Sequence, residues 1–214
     1  MSATSTTPLD CAICPKPATT ICQTCRNIPY CSPKCRSTDA ELHSTACNSF
    51  RTLEERPTPH HLYYRCIYFP VDEPNPQFVW ISHLRGDNDR QLIIGRNEVK
   101  TYISGKSSNG DMHVSHHHEI GRQFSIQHDN NFLGNKQPQN ECLLKLLGKD
   151  GNPGRWKGEF LAHAYRYRKG QGMWDEGGYR LPVDLDTTSL GLVVSFMRWR
   201  ATSHEEYGYT PATS

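Results

Sequence analysis

The chain has 214 residues, 36% of them hydrophobic and 21% charged, with a formal net charge of +2, which suits one medium domain or a small module joined to a larger one. No apolar run approaches the roughly 18 residues of a membrane span, and the aromatic and branched aliphatic residues of the second half exclude wholesale disorder. The opening stretch from Met1 to Pro8 has neither a basic n-region nor an apolar h-region. Export is therefore not expected, the thiols stay reduced, and the nucleus or cytoplasm is the expected location. Residues 1–10 are expected as a flexible N-terminus.

Seven of the nine cysteines fall between Cys11 and Cys47. With His43 they read C-x2-C-x7-C-x2-C-x5-C-x3-C-x7-H-x3-C. Cys11/Cys14 and Cys22/Cys25 are two-residue knuckles. Cys31/Cys35 and His43/Cys47 are spaced i,i+4, which one helical turn brings to a common face. Eight sulfur and nitrogen donors make two tetrahedral zinc sites, and sites closed by four protein ligands are structural. A disulfide framework would need export. Sequential pairing gives Cys11, Cys14, Cys22, Cys25 and Cys31, Cys35, His43, Cys47. Interleaved pairing gives Cys11, Cys14, Cys31, Cys35 and Cys22, Cys25, His43, Cys47. Spacing alone leaves both open.

Residues 11–47, with the Tyr30-Cys31-Ser32 step and the His43-x3-Cys47 ending, resemble a MYND zinc finger. The resemblance implies the interleaved, cross-braced arrangement around two structural Zn2+ ions: Cys11, Cys14, Cys31 and Cys35 for one, Cys22, Cys25, His43 and Cys47 for the other. It also implies docking of proline-containing peptides from partner proteins, often in transcriptional assemblies. The family usually has Gln directly after the sixth ligand and Trp three residues before the His, both in its peptide groove. Those groove positions hold Arg36 and Ala40 here, so an indole anchor of the kind that dominates binding is missing. The segment is too small for a core of its own. Zinc supplies most of its folding energy, on the order of 10 kcal/mol per ion, and Ile13, Ile21, Ile28, Tyr30 and Leu42 a minor share. Lys16, Arg26, Lys34 and Arg36 lie beside the ligands and offset part of the thiolate charge.

Residues 48–59 read as a linker, because Pro57 and Pro59 stop a helix. An α+β domain of unknown function is expected over residues 60–200. Leu62–Phe69 and Gln77–Leu84 are rich in β-branched and aromatic residues and read as strands, separated by a proline-bounded loop. Gln91–Ile94 and the segment around Phe124–Ile126 are further strand candidates, and Glu159–Arg168 is strand or helix. Asp186–Arg200 reads as a helix capped by Asp186 or Thr188, with Arg198 and Arg200 suiting its C-terminal dipole. Residues 201–214 are expected as a mobile tail. The RPTPHH and YFPVDEPNPQFVWI stretches and the Asp129–Leu133 motif resemble the C-terminal region of fungal MYND-finger proteins.

Enzyme signatures are weak. A SET methyltransferase needs an Asn-His-Ser-Cys-like motif and a post-SET cysteine cluster, and a RING ligase a different ligand order. Gly105-Lys106-Ser107 lacks the earlier glycine of a phosphate loop. His113, His116, His117 and His118, near Asp111 and Glu119, read as a polar loop and not as a third metal site. Cys66 and Cys142 read as small buried hydrophobes. Gly170–Arg180, with Trp174 and Tyr179, reads as a hairpin or wide turn. Seven ligand thiolates and two Zn2+ change the formal charge by −3, from +2 to −1, which leaves little general attraction for nucleic-acid phosphates. The expectation is a non-enzymatic adaptor binding other proteins. An enzyme sited in the second domain, of degenerate methyltransferase type, and nucleic-acid binding are the alternatives.

Overall fold

The computed structural model describes residues 9–85, 92–103, 109–114, 122–129, 136–148, 152, 155–167 and 180–202. The Gly105–Ser107 turn, His116–His118, residues 130–133 of the Asp129–Leu133 motif, Gly170–Tyr179, residues 1–8 and residues 203–214 lie outside them.

Residues 9–32 carry little regular structure before a long helix. Strands β1 (Thr20–Ile21) and β2 (Pro29–Tyr30) form a small antiparallel ladder. Helix α1 then runs from Pro33 to Thr52. Its start is a Ser–Pro signature: the Ser32 hydroxyl accepts from the Cys35 amide at 3.3 Å, and Pro33 opens the first turn, where no amide is needed. The helix does not stop at Cys47. Its last residues, 48–52, lie in the stretch expected as a linker.

A region of helices and antiparallel sheet follows. A 3-10 turn (His60–Leu62) leads into β3 (Tyr63–Phe69), β4 (Gln77–Arg85) and β5 (Leu92–Ile94), then α2 (Arg96–Tyr102), β6 (Asn109–Val114) and β7 (Arg122–Asp129). Helix α3 (Glu141–Leu147), β8 (Phe160–Tyr167), β9 (Arg180–Val183) and α4 (Thr187–Thr202) complete the order. The strands run β5-β4-β3-β8-β7-β6, with β9 also on β8. β3 pairs with β8 at Phe160–Ala162 and β9 pairs with it at Ala164–Tyr167. Within the ambiguous Glu159–Arg168 segment, Phe160–Tyr167 is thus strand β8, with β3 and β9 in succession along one side and β7 along the other. Asn109–Val114, which includes Asp111 and His113 and reads as a loop in sequence, is strand β6 against β7. Asp186 is the cap of α4: its carboxylate accepts from the amides of Thr188 at 2.9 Å and Ser189 at 3.1 Å.

Alternation along the strands separates two cores. One sheet face presents Ile67, Phe69, Phe78, Phe124, Ile126 and Phe160 to α3 and α4. Ala46 of α1 belongs to this same cluster, with Leu42, Phe50 and Leu53 packed against it. The opposite face packs Cys66, Val79, Ile81 and Leu161 against Val99 of α2 and Ile103. Cys66 and Cys142 are fully buried. Among the described residues no helix is long and apolar enough to cross a membrane.

Helix α1 therefore belongs to both halves. Its Leu42, Ala46, Phe50 and Leu53 stripe faces the sheet core, and Arg36, Ala40, Ser44 and Asn48 follow the i,i+4 row of another face. Two hydrogen bonds and one ring contact stitch it to β4. Ser49 Oγ accepts from the Phe78 amide at 2.7 Å. The Glu54 carbonyl, just past the helix, accepts from the Trp80 indole at 2.8 Å. The Phe50 and Phe78 rings meet edge to face at 5.0 Å.

Candidate metal centre and docking groove

The eight donors gather in two groups: Cys11, Cys14, Cys31 and Cys35, and Cys22, Cys25, His43 and Cys47. Within each, the ligand atoms all lie within 4.8 Å of one another. Local structure explains who meets whom. Cys11 and Cys14 sit on the N-terminal turn, whose Cys11 amide donates to the Lys16 carbonyl at 2.9 Å. That turn is pinned to β2 by the Ala12 amide on the Pro29 carbonyl. Cys22 and Cys25 flank a tight turn closed by the Arg26 amide on the Cys22 carbonyl, with Arg26 in the left-handed region at φ 52°. Cys31 ends the ladder. Cys35, His43 and Cys47 project from α1.

The distances fit a tetrahedral ion. A Zn–S bond of about 2.3 Å implies sulfur–sulfur edges of about 3.8 Å. Cys14 Sγ lies 3.4 Å from Cys31 Sγ and 3.9 Å from Cys35 Sγ, and the last two are 3.6 Å apart. In the second group Cys22 and Cys47 are 3.9 Å apart, and His43 Nε2 lies 3.3 Å from Cys22 Sγ and 3.7 Å from Cys25 Sγ. A disulfide would bring two sulfurs to about 2.05 Å, and all nine cysteines are free.

Electrostatics favour the same reading. Burial works against the Cys11 and Cys22 thiolates. Backbone amides aimed at their sulfurs, with the His43 ring at Cys22, outweigh it and hold both at about 6. Cys47 is pushed up to about 12, first by burial and then by Cys25 and Cys22 beside it. The donors cannot all ionise against one another. A divalent cation at the centre resolves that conflict, because a coordinated thiol gives up its proton.

Tyr30 supports the second group. It is 1% exposed, stands edge-on to the His43 ring, and donates its hydroxyl to Asp39 of α1 at 2.6 Å. Burial and the Asp39 carboxylate both raise its phenol above the ordinary range. Of the apolar residues expected to support this segment, Ile28 and Tyr30 are buried, Leu42 joins the sheet core, and Ile13 and Ile21 stand exposed.

Arg36 and Ala40 come together with Tyr30, His43, Ser44 and Asn48 around a groove of about 360 Å³ over the second group. Sequence reasoning missed two contributors. Ser32 was legible as a helix cap before a proline. Asn27, which reaches α4, has no local signal.

No curated protein and no solved structure matches the chain, and no homologue supports a resemblance of its second half to fungal MYND-finger proteins. Two clusters compatible with zinc, followed by helices and sheet, agree with the family comparison: residues 11–47 match the MYND finger, a zinc-binding domain that typically mediates protein–protein interaction.

Proposed function

We propose that this chain is a non-enzymatic adaptor whose finger holds two structural Zn2+ ions and docks partner proteins. The observation that carries this is the pair of complete four-donor sets, one of four sulfurs and one of three sulfurs and a nitrogen, with donor atoms at tetrahedral edge distances. Cys11, Cys14, Cys31 and Cys35 would hold one ion; Cys22, Cys25, His43 and Cys47 would hold the other. Each ion then ties a segment N-terminal to β2 to the start or middle of α1, which is the cross-braced arrangement. All four positions at each ion are taken by protein, so the metal supplies rigidity and not an open site for chemistry.

The docking surface is the α1 groove beside the second ion, and the sheet region serves as its scaffold and as a second surface. Regulatory or transcriptional assemblies in the nucleus or cytoplasm are the setting this reading favours. Peptides selected from a displayed library on the zinc-loaded full chain test it. Enrichment of peptides that bind in the micromolar range and release on chelation is the expected result. Failure to enrich any peptide, or micromolar binding of S-adenosylmethionine in calorimetry, overturns it.

A further inference from the structure

The face around the second donor group carries three guanidiniums, and the carboxylate beside it, Asp39, accepts from the buried Tyr30 hydroxyl. The groove over that group is lined by Thr24, Arg36, Ala40, Ser44 and Asn48 among others. A neighbouring groove of about 560 Å³ is lined by Gln23, Thr24, Cys25, Arg26, Phe50 and Arg51. Thr24 lines both, so the two adjoin. Arg51 and Asn48 also join them, through an Nη2 to Oδ1 hydrogen bond of 2.9 Å. Arg26, Arg36 and Arg51 are exposed. The ion pair found among the described residues, Arg56 with Asp184, includes none of these three arginines. Loaded with Zn2+, the Cys3His group contributes a single negative charge against these three cations.

We propose that Arg26, Arg36 and Arg51 form the docking face for an acidic segment of a partner protein, laid along α1 across the second zinc group. This rests on the docking role proposed above and names the chemistry of the ligand. Guanidinium is suited to carboxylates, which it grips through paired N–H bonds. Ala40 leaves room in the groove for an apolar side chain between the acids, and Phe50 offers a second apolar contact. Gln23, Thr24, Ser44 and Asn48 supply hydrogen-bonding groups to a peptide backbone. A chain near neutrality lacks the broad positive field that nucleic-acid binding draws on, so the local arginines favour a short acidic peptide.

The test uses the zinc-loaded full chain and fluorescence anisotropy. The probes are a labelled peptide of alternating Glu and Leu, the same peptide with Gln for Glu, a PxLxP peptide, and a single-stranded oligonucleotide of matching charge. The Glu peptide should bind about tenfold more tightly than the Gln peptide, and Arg36→Glu with Arg51→Glu should weaken it about tenfold. Both substitutions are exposed, and an unchanged thermal midpoint confirms folding. Lys145→Glu, on α3, should leave binding unchanged. Equal binding of the Glu and Gln peptides, no effect of the arginine reversals, or tighter binding of the oligonucleotide overturns the proposal. Binding of PxLxP alone overturns it while the docking role stands; binding of no peptide overturns both.

Discussion

Asn27, in the turn that follows Cys25, accepts two hydrogen bonds from Thr187, the first residue of α4: one from the hydroxyl at 2.7 Å and one from the backbone amide at 3.3 Å. A residue beside a zinc knuckle thus helps cap a helix 160 positions later, and that helix packs on α1. The finger and the sheet region form one continuous structure through this contact and through Ala46.

Asn27→Ala leaves the Thr187 amide without this acceptor. Loss of a cap or of a hydrogen bond of this kind costs about 1 kcal/mol, and Asn27→Asp, which keeps the acceptor oxygen, should cost less. Urea unfolding of the full chain measures both. An alanine variant as stable as the parent would show that Asp186 alone suffices to cap α4.

Zinc removal should reach beyond the finger. α1 carries Cys35, His43 and Cys47 on one side and Leu42, Ala46, Phe50 and Leu53 in the sheet core on the other. Chelation should therefore lower the thermal midpoint of the whole chain in a single transition, followed by tryptophan fluorescence that includes Trp80. Linkage requires this if the folded state alone binds the ion. Cys14→Ser, which removes a donor from the first group only, should also lower zinc at the second, so that colorimetric zinc analysis finds fewer than one ion per chain. One ion retained at full occupancy would argue against cross-bracing.

The donor set was legible because metal ligands are chemically distinctive and their spacing is local. The strands of the sheet were legible for a similar reason: Tyr63–Phe69 and Gln77–Arg85 are dense in aromatic and β-branched residues. Helix α1 was legible only as helical turns at Cys31/Cys35 and His43/Cys47 and not over its full length, since its Ser, Thr, Asn and Cys content gives weak helix propensity and its apolar stripe is interrupted by metal donors. It is held from outside, by cysteines at one end and by the sheet at the other. Helices α2 and α3 span seven residues each, about two turns, too few for periodicity to show. The strand nature of Phe160–Tyr167 is decided by its partners β3, β7 and β9. Asn27 was invisible because its partner is distant in sequence.

Arg65 of β3 is the second joint between the two halves. Its guanidinium lies 4.5 Å from the centroid of Phe50 on α1 and 5.5 Å from that of Trp80, and its Nε donates to the Leu185 carbonyl at 2.6 Å. Its backbone amide donates to Asp184 at 3.0 Å. Burial lowers its pKa and the carboxylates of Asp184 and Asp186 oppose that, so it remains a cation. Arg65→Lys keeps the charge but loses the planar stack and the Nε bond. A cost of about 2 kcal/mol in urea unfolding is expected. An unchanged midpoint would mean that charge alone matters at this position.

His83 on β4 should make the fold acid-sensitive independently of zinc. It is 0% exposed; its Nδ1 lies 3.2 Å from the Ile81 carbonyl, and its Nε2 has no hydrogen-bond partner among the described residues. The rings of Tyr64, His163 and Tyr165 surround it. Burial lowers its pKa to about 4, against a weaker pull upward from the Ile81 carbonyl and the Asp184 charge. The unfolded chain takes up this proton near pH 6.5 and the folded chain does not until about pH 4. Between those values the unfolded state binds more protons, so stability falls as pH falls, by at most about 1.4 kcal/mol per pH unit and roughly 3 kcal/mol in all. His83→Phe removes this contribution alone. With zinc in excess, the stability difference between parent and variant should shift by about 1 kcal/mol in favour of the variant between pH 7.5 and 5.5. A difference that stays constant across that range would show that His83 is not held neutral by its surroundings.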